Sequence, residues 1–364
     1  MNVPTKFMAD ETIFFTGFPG FIGQRLLKRL AQEGGRFRLL VQPALVARAH
    51  EDLTQIVNET GNSIADFRIL EGDVTQPNFG LTPPELEDAR SQATMIFHLA
   101  AIYDLAVDRE LALKVNLGGT RNVNEFARRL PNLRRYHYVS TCYVAGKREG
   151  RILETELQHN AGFRNYYEES KYLAETEVEA LKSELPITIH RPSVVCGDSK
   201  TGETAKYDGI YYLIHYLHRW PRLLRLLNIG NRQVSLNLVP VDFVVEGITA
   251  LAKDSAAIGK TVQIADPNPL TTHALFNTIA HCLADGGSMI TIPAPMVQFT
   301  LMLPPSPKIT GLPHHAVPYF FLKQTYDTKQ SNQLLNSHAV FCPAFASYVR
   351  VIVDYASRHP APGL

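Results

Sequence analysis

The sequence predicts an α/β protein with a doubly wound parallel sheet and a smaller substrate-binding lobe that lies mainly towards the C-terminus. Three observations support this prediction. Short β-branched or aromatic segments alternate with helical patterns, a glycine-rich turn follows the first segment, and the pattern changes after Gly197. Strands that alternate with helices form right-handed βαβ units, in which helices cover both faces of a parallel sheet.

The predicted elements follow one another in regular order along the first half of the chain. The strands are Thr12–Thr16, Phe37–Val41, Phe67–Leu70, Thr94–Leu99, Tyr136–Ser140 and Ile187–His190. Helical patterns cover Phe21–Glu33, the interval between the fourth and fifth strands, and Tyr167–Glu184. The polar stretch Asp198–Gly209 predicts a loop, and regular structure returns near Val239–Leu251. We predict a nucleotide-binding domain over 10–198, rejoined by segments near 235–265, and a second lobe formed by 199–234 and 266–364.

Composition excludes several classes of protein. Lys and Arg total 36 against 35 for Asp and Glu, so there is no basic excess to indicate nucleic-acid binding. The four cysteines are scattered, which argues against a disulfide framework or a zinc cluster, and no HExxH spacing indicates a metal site. The N-terminus lacks the basic region and apolar core of a signal peptide. Prolines interrupt the apolar stretch 289–303, which is shorter than the roughly 20 residues of a spanning helix. We expect a cytoplasmic protein without a metal.

A glycine turn lies between the first strand and the first helix. In IFFTGFPGFIGQRLL, Gly17, Gly20 and Gly23 stand three residues apart. Glycines at this junction permit a tight turn, let backbone N–H groups approach a pyrophosphate at the helix N-terminus, and allow close packing of helix on strand. The alternative is a merely structural turn. The position of the turn, ahead of a parallel-sheet pattern, favours a dinucleotide site.

The end of the second strand bears on which dinucleotide is bound. An acidic residue there binds the free adenosine ribose of NAD, whereas a basic residue accommodates the phosphate of NADP. Gln42 occupies this place, and Arg48 is the nearest cation downstream. The sequence therefore favours NADP(H) over NAD(H), although Arg48 could equally be a solvated helix residue.

Three Tyr-x-x-x-Lys pairs are candidates for acid–base chemistry. They are Tyr143/Lys147, Tyr167/Lys171 and Tyr319/Lys323. Residues four apart share one face of a helix, where a lysine would lower the pKa of the tyrosine and the phenol could exchange a proton with a substrate oxygen. Tyr143/Lys147 encloses Gly146 in a loop, and Tyr319/Lys323 lies far beyond the sheet. Only the pair Tyr167/Lys171 opens a long helix after the fifth strand.

Seven motifs in order connect the chain with a known superfamily. They are TGFPGFIG, GDV at 72–74, HLAA at 98–101, VNLGGT at 115–120, VSTCYVAG at 139–146, Tyr167-x-x-x-Lys171 and RPSVVCGD at 191–198. Together they cover roughly residues 10–265 and resemble the extended short-chain dehydrogenases/reductases. The resemblance implies a Rossmann domain that binds NAD(P), in which His98 is a packed residue rather than a ligand.

The resemblance also implies roles for particular residues. Thr141, Tyr167 and Lys171 match the catalytic positions, and Asn116 matches an asparagine of a supporting proton relay. The implied cofactor contacts are Gly17, Phe18, Gly20, Phe21, Ile22, Gly23, Gln42, Arg48, Asp73, Val74, Leu99, Ala100, Ala101, Lys171, Pro192 and Val194. Of these, Asp73 and Val74 match the turn at the adenine, and Pro192 with its neighbours matches the loop beside the nicotinamide. Thr141 is chosen over Ser140 by counting back from Gly146, and both hydroxyls remain open.

Further strings look like one branch of this superfamily. HLAAIYDLAVDRELALKVNLGGTRNVNEFA, VSTCYVAG and the C-terminal run from YDTKQ resemble the male-sterility branch, which includes fatty acyl-CoA reductases and thioester reductase domains. The resemblance implies reduction of an acyl thioester, or of a long-chain aldehyde or ketone, by NADPH. Tyr167 would donate the proton, Lys171 would orient the nicotinamide ribose, and Thr141 would hydrogen-bond the substrate oxygen. The alternatives are a sterol or flavonoid ketoreductase, a nucleotide-sugar epimerase or dehydratase, and a redox sensor that binds NADP without turnover.

The second lobe offers a candidate substrate surface. No Asp or Glu occurs from Gly209 to Val241, where aromatic and aliphatic residues are interspersed with arginines, namely Arg219, Arg222, Arg225 and Arg232. This stretch could line a groove for an acyl chain, with arginines on the phosphates of a carrier or coenzyme A. It could also contact a membrane surface peripherally, or form a core helix with solvated arginines. We expect a small-molecule or acyl-carrier substrate.

Overall fold

The computed structural model describes residues 7–219, 227–283, 290–307 and 312–360. The strands are β1 (Thr12–Thr16), β2 (Arg36–Val41), β3 (Phe67–Glu71), β4 (Met95–His98), β5 (Arg135–Val139), β6 (Gly150–Ile152), β7 (Ile187–Pro192), β8 (Val194–Cys196), β9 (Leu227–Asn228), β10 (Leu238–Pro240), β11 (Thr261–Ile264), β12 (Ile290–Thr291) and β13 (Gln324–Tyr326). The helices are α1 (Phe21–Gln32), α2 (Val46–Thr60), α3 (Pro83–Gln92), α4 (Arg109–Ala112), α5 (Gly119–Arg128), α6 (Tyr166–Ala180), α7 (Ile210–Arg219), α8 (Val241–Lys253), α9 (Thr272–Leu283), α10 (Ala294–Leu301), α11 (Lys329–Ser337) and α12 (Phe345–Arg358).

Seven parallel strands form the main sheet, in the order β11-β7-β5-β4-β1-β2-β3. The predicted doubly wound parallel sheet is confirmed. Its seventh strand, β11, belongs to the chain segment expected to return to the sheet. The order of the strands reverses between β4 and β1, and in such sheets ligands bind in the crevice outside the carboxyl ends of the strands at this point.

Helices cover both faces of the sheet because successive strand residues point to opposite sides. On one face, Phe15 of β1 packs in a buried cluster with Leu26 of α1 and Ile248 of α8. On the other face, Phe14 packs in a second cluster with Phe126 of α5. This alternation of apolar residues fixes the sheet between two helical layers. The glycine turn follows the carboxyl end of β1 directly and therefore lies at the carboxyl edge of the sheet.

The second lobe has its own apolar core. Ile214 of α7, Phe276 of α9 and Tyr348 of α12 share one buried cluster. The described side chains at the start of α7 are therefore mainly core residues of the lobe. By contrast, α11 packs on α8 and β11, and its Leu335 joins the cluster of the main sheet. Among the described helices, none has the length and apolarity needed to cross a bilayer.

Two of the arginines expected to line a substrate groove, Arg222 and Arg225, lie outside the described residues, as does the side chain of Arg219. Arg232 is described and is exposed to solvent.

Candidate active site

A cleft of about 560 Å³ opens at the carboxyl edge of the main sheet. It is lined by the glycine turn, by the ends of β2, β4, β5 and β7, and by the first turns of α6. Every residue expected to contact the cofactor lines this cleft except Asp73, and so do Thr141, Tyr167 and Lys171. The fold thus brings residues from many separate segments to one site.

The geometry of the glycine turn fits a pyrophosphate. Gly17 adopts a φ of +92°, which side chains other than glycine rarely adopt. A Cβ on Gly23 would lie 2.2 Å from the Gly17 carbonyl oxygen, so only glycine permits the close approach of turn and helix. No side chain caps the N-terminus of α1, and its first turn carries no acidic residue. Its backbone N–H groups and the positive end of the helix dipole are therefore free to bind an anion.

The adenosine end of the cleft contains Gln42, Arg48 and Val74. Asp73 is not among the residues that line the cleft, although its neighbours Gly72 and Val74 are, and its expected contact with the cofactor stays a prediction. Its Oδ1 accepts a hydrogen bond from the backbone N–H of Thr75 at 2.8 Å, and its Oδ2 accepts one from Gln42 Nε2 at 3.4 Å. Asp73 therefore supports the turn that presents Val74. Arg48 is exposed and lies 3.7 Å from Asp52, which leaves its guanidinium accessible to a ligand.

The N-terminus of α6 sets the position of Tyr167. The Asn165 side chain caps the helix by accepting a hydrogen bond from the Glu168 backbone at 3.0 Å. Tyr167 and Lys171 then follow on one face of the helix, and both are almost fully buried. Because Tyr167 ends at the cleft, its phenol can meet a bound carbonyl there.

The two candidate hydroxyls after β5 have different partners. Ser140 donates its hydroxyl to the buried carboxylate of Glu175. Thr141 accepts a hydrogen bond from the Tyr143 backbone at 3.2 Å, and its hydroxyl also interacts with the Tyr167 phenol. The geometry favours Thr141 as the hydroxyl that meets a substrate.

Burial dominates the electrostatics of Tyr167 and Lys171. It raises the pKa of Tyr167, and the nearby Asp208 and Glu168 act in the same direction, whereas the Thr141 hydroxyl lowers it. The expected lowering of the Tyr167 pKa by Lys171 is therefore wrong for this arrangement. Lys171 Nζ instead donates to the Tyr138 hydroxyl at 3.0 Å and to the Val139 carbonyl at 2.9 Å.

Burial also lowers the pKa of Lys171 to about 8, against an opposing contribution from Glu175. The ammonium form is thus favoured below that pH. A bound ligand that offers hydroxyl oxygens would supply the lysine with additional acceptors.

Asn116 supports the site from outside the cleft. It lies in a π-helical turn between α4 and α5, and its Oδ1 accepts a hydrogen bond from the Ile102 N–H at 2.8 Å. Its Nδ2 donates to the Ile102 carbonyl at 3.3 Å and to Ser170 Oγ at 2.9 Å. The expected relay role of Asn116 is not visible in these contacts. The side chain fixes the segment after β4 against α6.

A buried ion pair was missed by sequence reasoning. Glu175 Oε1 accepts from Arg191 Nε at 2.8 Å and Nη2 at 2.5 Å, and both residues are almost completely shielded from solvent. With Ser140 bound to the same carboxylate, the pair ties the ends of β5 and β7 to α6. The spacing of Tyr167, Lys171 and Glu175 at successive intervals of four could have indicated a third functional position on this helix face.

The two rejected tyrosines also lie near the site. Tyr143 lines the cleft, and its ring packs against that of Tyr319 at 4.7 Å between centroids. The Tyr319 hydroxyl donates to Glu168 Oε1 at 2.6 Å and accepts from Asn165 Nδ2 at 2.7 Å. Tyr319 thus connects a C-terminal segment to the first turn of α6, a contact that local sequence patterns cannot reveal.

His98 is a packed residue, as expected. Its Nδ1 lies 2.8 Å from Thr16 Oγ1 and its Nε2 lies 3.0 Å from Thr120 Oγ1. Burial lowers the pKa of His98 to about 3, so the ring is neutral. In the part of the chain that the structure describes, no group of three His, Cys, Asp or Glu side chains could hold a metal ion.

The parallel sheet, the glycine cradle and the Thr141, Tyr167 and Lys171 cluster define an NAD(P)-dependent oxidoreductase of the extended short-chain dehydrogenase/reductase type. Within that class, the chain belongs to the Male sterility protein family, whose model matches residues 15–248.

Individual relatives agree with this assignment. The chain is 27% identical over 286 residues to the glycine betaine reductase ATRR of Emericella nidulans, covering 74% of this chain and 22% of that protein. It is 23% identical to the fatty acyl-CoA reductase wat of Drosophila melanogaster, covering 69% of this chain and 55% of the relative. The chain thus spans about half or less of these relatives. The solved terminal R domain from the myxalamid PKS-NRPS biosynthetic pathway has a TM-score of 0.81 at 24% identity, over 96% of this chain and 91% of that one.

Proposed function

We propose that the protein reduces an acyl thioester to an aldehyde and a free thiol at the expense of NADPH. The observation that carries the proposal is the convergence of Thr141, Tyr167 and Lys171 on a cleft that begins at a pyrophosphate cradle. Family membership makes the chain a reductase, and the relatives include a protein named as a fatty acyl-CoA reductase. NADPH, when bound, supplies the hydride.

Each residue of the cluster has a role that its position permits. Tyr167 donates its phenolic proton to the carbonyl oxygen as the carbonyl carbon gains the hydride, and burial favours the protonated phenol. Thr141 hydrogen-bonds the same oxygen, and Lys171 holds the ribose hydroxyls beside the sheet. The resulting hemithioacetal loses its hydroxyl proton as its C–S bond breaks, the departing thiolate takes up a proton to become the free thiol, and the aldehyde is released. Solvent then restores the proton of Tyr167.

The walls of the cleft suit an acyl group. Beyond the glycine turn the lining includes Ile102, Leu111, Val115 and Tyr143, whose side chains are apolar or aromatic. Burying a methylene group against such walls contributes about 0.8 kcal/mol. The thioester could be borne by coenzyme A or by a carrier protein, since both present the same reacting carbonyl.

A matched substrate series tests the proposal. We expect acyl-CoA thioesters to support NADPH oxidation with formation of the aldehyde. We also expect kcat/KM to rise by up to about fourfold per added methylene until the apolar walls are covered. The same acyl group on a carrier protein distinguishes the two sources of thioester. The measurement is NADPH absorbance together with product analysis, and the free aldehyde of each length is the matched control.

Activity towards long-chain aldehydes or ketones, with none towards any thioester, would contradict thioester reduction. Turnover only with ketosteroids, flavonoids or nucleotide sugars would favour the other chemistries of the superfamily. Tight NADPH binding without any turnover would indicate a redox sensor.

NADPH is expected to bind more tightly than NADH. Gln42 offers no carboxylate to a free ribose 2′-hydroxyl, and the exposed Arg48 can reach a 2′-phosphate at the same end of the cleft. Loss of one charged hydrogen bond of about 1.5–3 kcal/mol should make Arg48→Ala bind NADPH about ten- to a hundredfold more weakly. NADH affinity should stay unchanged. Fluorescence titration measures both, and equal or tighter binding of NADH by the wild type would overturn the preference.

A further inference from the structure

Three polar residues form a cluster opposite α6, on two different loops of the cleft. Tyr103 follows β4, whereas Lys206 and Asp208 lie on the loop between β8 and α7. The Tyr103 hydroxyl interacts with the Asp208 carboxylate. Lys206 Nζ lies 4.1 Å from the centre of the Tyr103 ring, a cation–π distance. The cluster therefore joins the two loops across the cleft.

The cluster contacts the proposed proton donor directly. The Tyr103 ring meets the Tyr167 ring edge to face, with centroids 5.0 Å apart and planes at 90°. Both rings lie in one small apolar cluster with Val107 and Ala112. Because Asn116 holds the neighbouring Ile102 backbone, Tyr103 is fixed at its main chain by Asn116 and at its hydroxyl by Asp208.

We propose that Asp208 is a positioning residue for the reaction, acting through Tyr103 to hold the Tyr167 ring in place at the cleft. The inference rests on the proposed function, because it assigns Tyr167 as the proton donor. The carboxylate reaches the site from a loop that no catalytic motif includes. A phenol held in one orientation is suited to donate a proton to a carbonyl oxygen.

Charged and titratable groups approach Tyr167 from every element packed against it. Glu168 and Lys171 flank Tyr167 on its own helix, Thr141 and Tyr143 approach from the end of β5, and Tyr103, Lys206 and Asp208 approach from the two loops. Asp208 raises the pKa of Tyr167, as does Glu168. Burial raises the pKa of Asp208, against opposing contributions from Lys206 and the Tyr103 hydroxyl.

The test compares Tyr103→Phe, Asp208→Ala and the double variant. Each single change removes the same contact between the Tyr103 hydroxyl and the Asp208 carboxylate, and Tyr103→Phe retains the ring. We expect kcat with the best carbonyl substrate to fall about tenfold in each single variant and no further in the double variant, because both act through one contact. KM and melting temperature should change little. Glu203→Gln is the matched control, since it removes one acidic charge from the same loop. The Glu203 carboxylate forms an ion pair with Arg25 and not with the Tyr103 cluster. Unchanged kcat in the single variants, or multiplied losses in the double variant, would overturn the proposal.

A second measurement separates this inference from the proposed function. If the wild type turned over no carbonyl substrate, the proposed function would be refuted. NMR of protein labelled with carbon-13 at tyrosine Cζ reports on Tyr167 without any turnover and so tests the inference separately. The Tyr167 signal is assigned by its loss in Tyr167→Phe. We expect Tyr103→Phe and Asp208→Asn to shift that signal, while Glu203→Gln leaves it in place. A Tyr167 signal that stays at the same chemical shift in Tyr103→Phe and Asp208→Asn would contradict the inference.

Discussion

Tyr167→Phe is expected to lower kcat by about 100- to 10,000-fold, the usual contribution of a positioned acid, while NADPH affinity stays nearly unchanged. The substitution removes one hydroxyl and keeps the ring that packs against Tyr103, Val107 and Ala112. The loss should therefore appear in the proton-transfer step and leave the fold intact. Single-turnover oxidation of NADPH with an acyl thioester measures the effect, and a fluorescence titration of NADPH measures binding separately.

The chain contains its own matched controls for this experiment. Tyr143→Phe and Tyr319→Phe each alter a Tyr-x-x-x-Lys pair, and both rings lie close to the cleft. Tyr143→Phe should have a much smaller effect than Tyr167→Phe, because the packing of its ring is retained. Loss of activity in either control variant, with near-normal activity in Tyr167→Phe, would show that a tyrosine other than Tyr167 donates the proton.

Gly23→Ala is expected to weaken NADPH binding by about a hundredfold or more. The added Cβ would lie 2.2 Å from the Gly17 carbonyl oxygen and 2.9 Å from the Gly17 carbonyl carbon, so that either the turn or the helix must move. Moving them misaligns several backbone N–H donors at once, and each hydrogen bond to a charged group contributes about 1.5–3 kcal/mol. A fluorescence titration of NADPH measures the loss.

Gly118→Ala provides the comparison for this substitution. A Cβ at Gly118 would meet its nearest neighbour, the Leu113 carbonyl oxygen, at 3.7 Å, an ordinary contact distance. Both variants should remain folded by circular dichroism, with the loss of affinity confined to Gly23→Ala. Normal NADPH binding by Gly23→Ala would show that the turn does not cradle the pyrophosphate.

Local patterns predicted the parallel sheet because its strands are short apolar segments separated by amphipathic helices. Strand β1 has the predicted bounds, and β5 is displaced by one residue. Strand β11 was not identified individually, since Thr261–Ile264 is brief and carries the polar Gln263. The glycine turn and the cofactor contacts followed from motifs, because each lies at the end of a strand that the parallel sheet brings to one edge.

The contacts that sequence reasoning missed join residues far apart along the chain. Tyr319 binds Glu168 across 151 residues, and Asp208 binds Tyr103 across two loops. Helical spacing reveals neighbours three or four residues apart, but it carries no information on which loops meet above the sheet. The contacts of the Asn116 side chain could not be predicted for the same reason. Its partner Ile102 lies 14 residues earlier, on a segment without a periodic pattern.

Hydride transfer to an acyl thioester is tested most directly with NADPH that carries deuterium at both C4 positions of the nicotinamide. The wild type is incubated with an acyl-CoA under single-turnover conditions, and the aldehyde is captured and analysed by mass spectrometry. We expect the aldehyde to carry one deuterium at its carbonyl carbon, and the label to be absent with Tyr167→Phe over the same time. Oxidation of NADPH without labelled aldehyde, or no oxidation with any acyl thioester, would contradict the proposal that this protein is a thioester reductase.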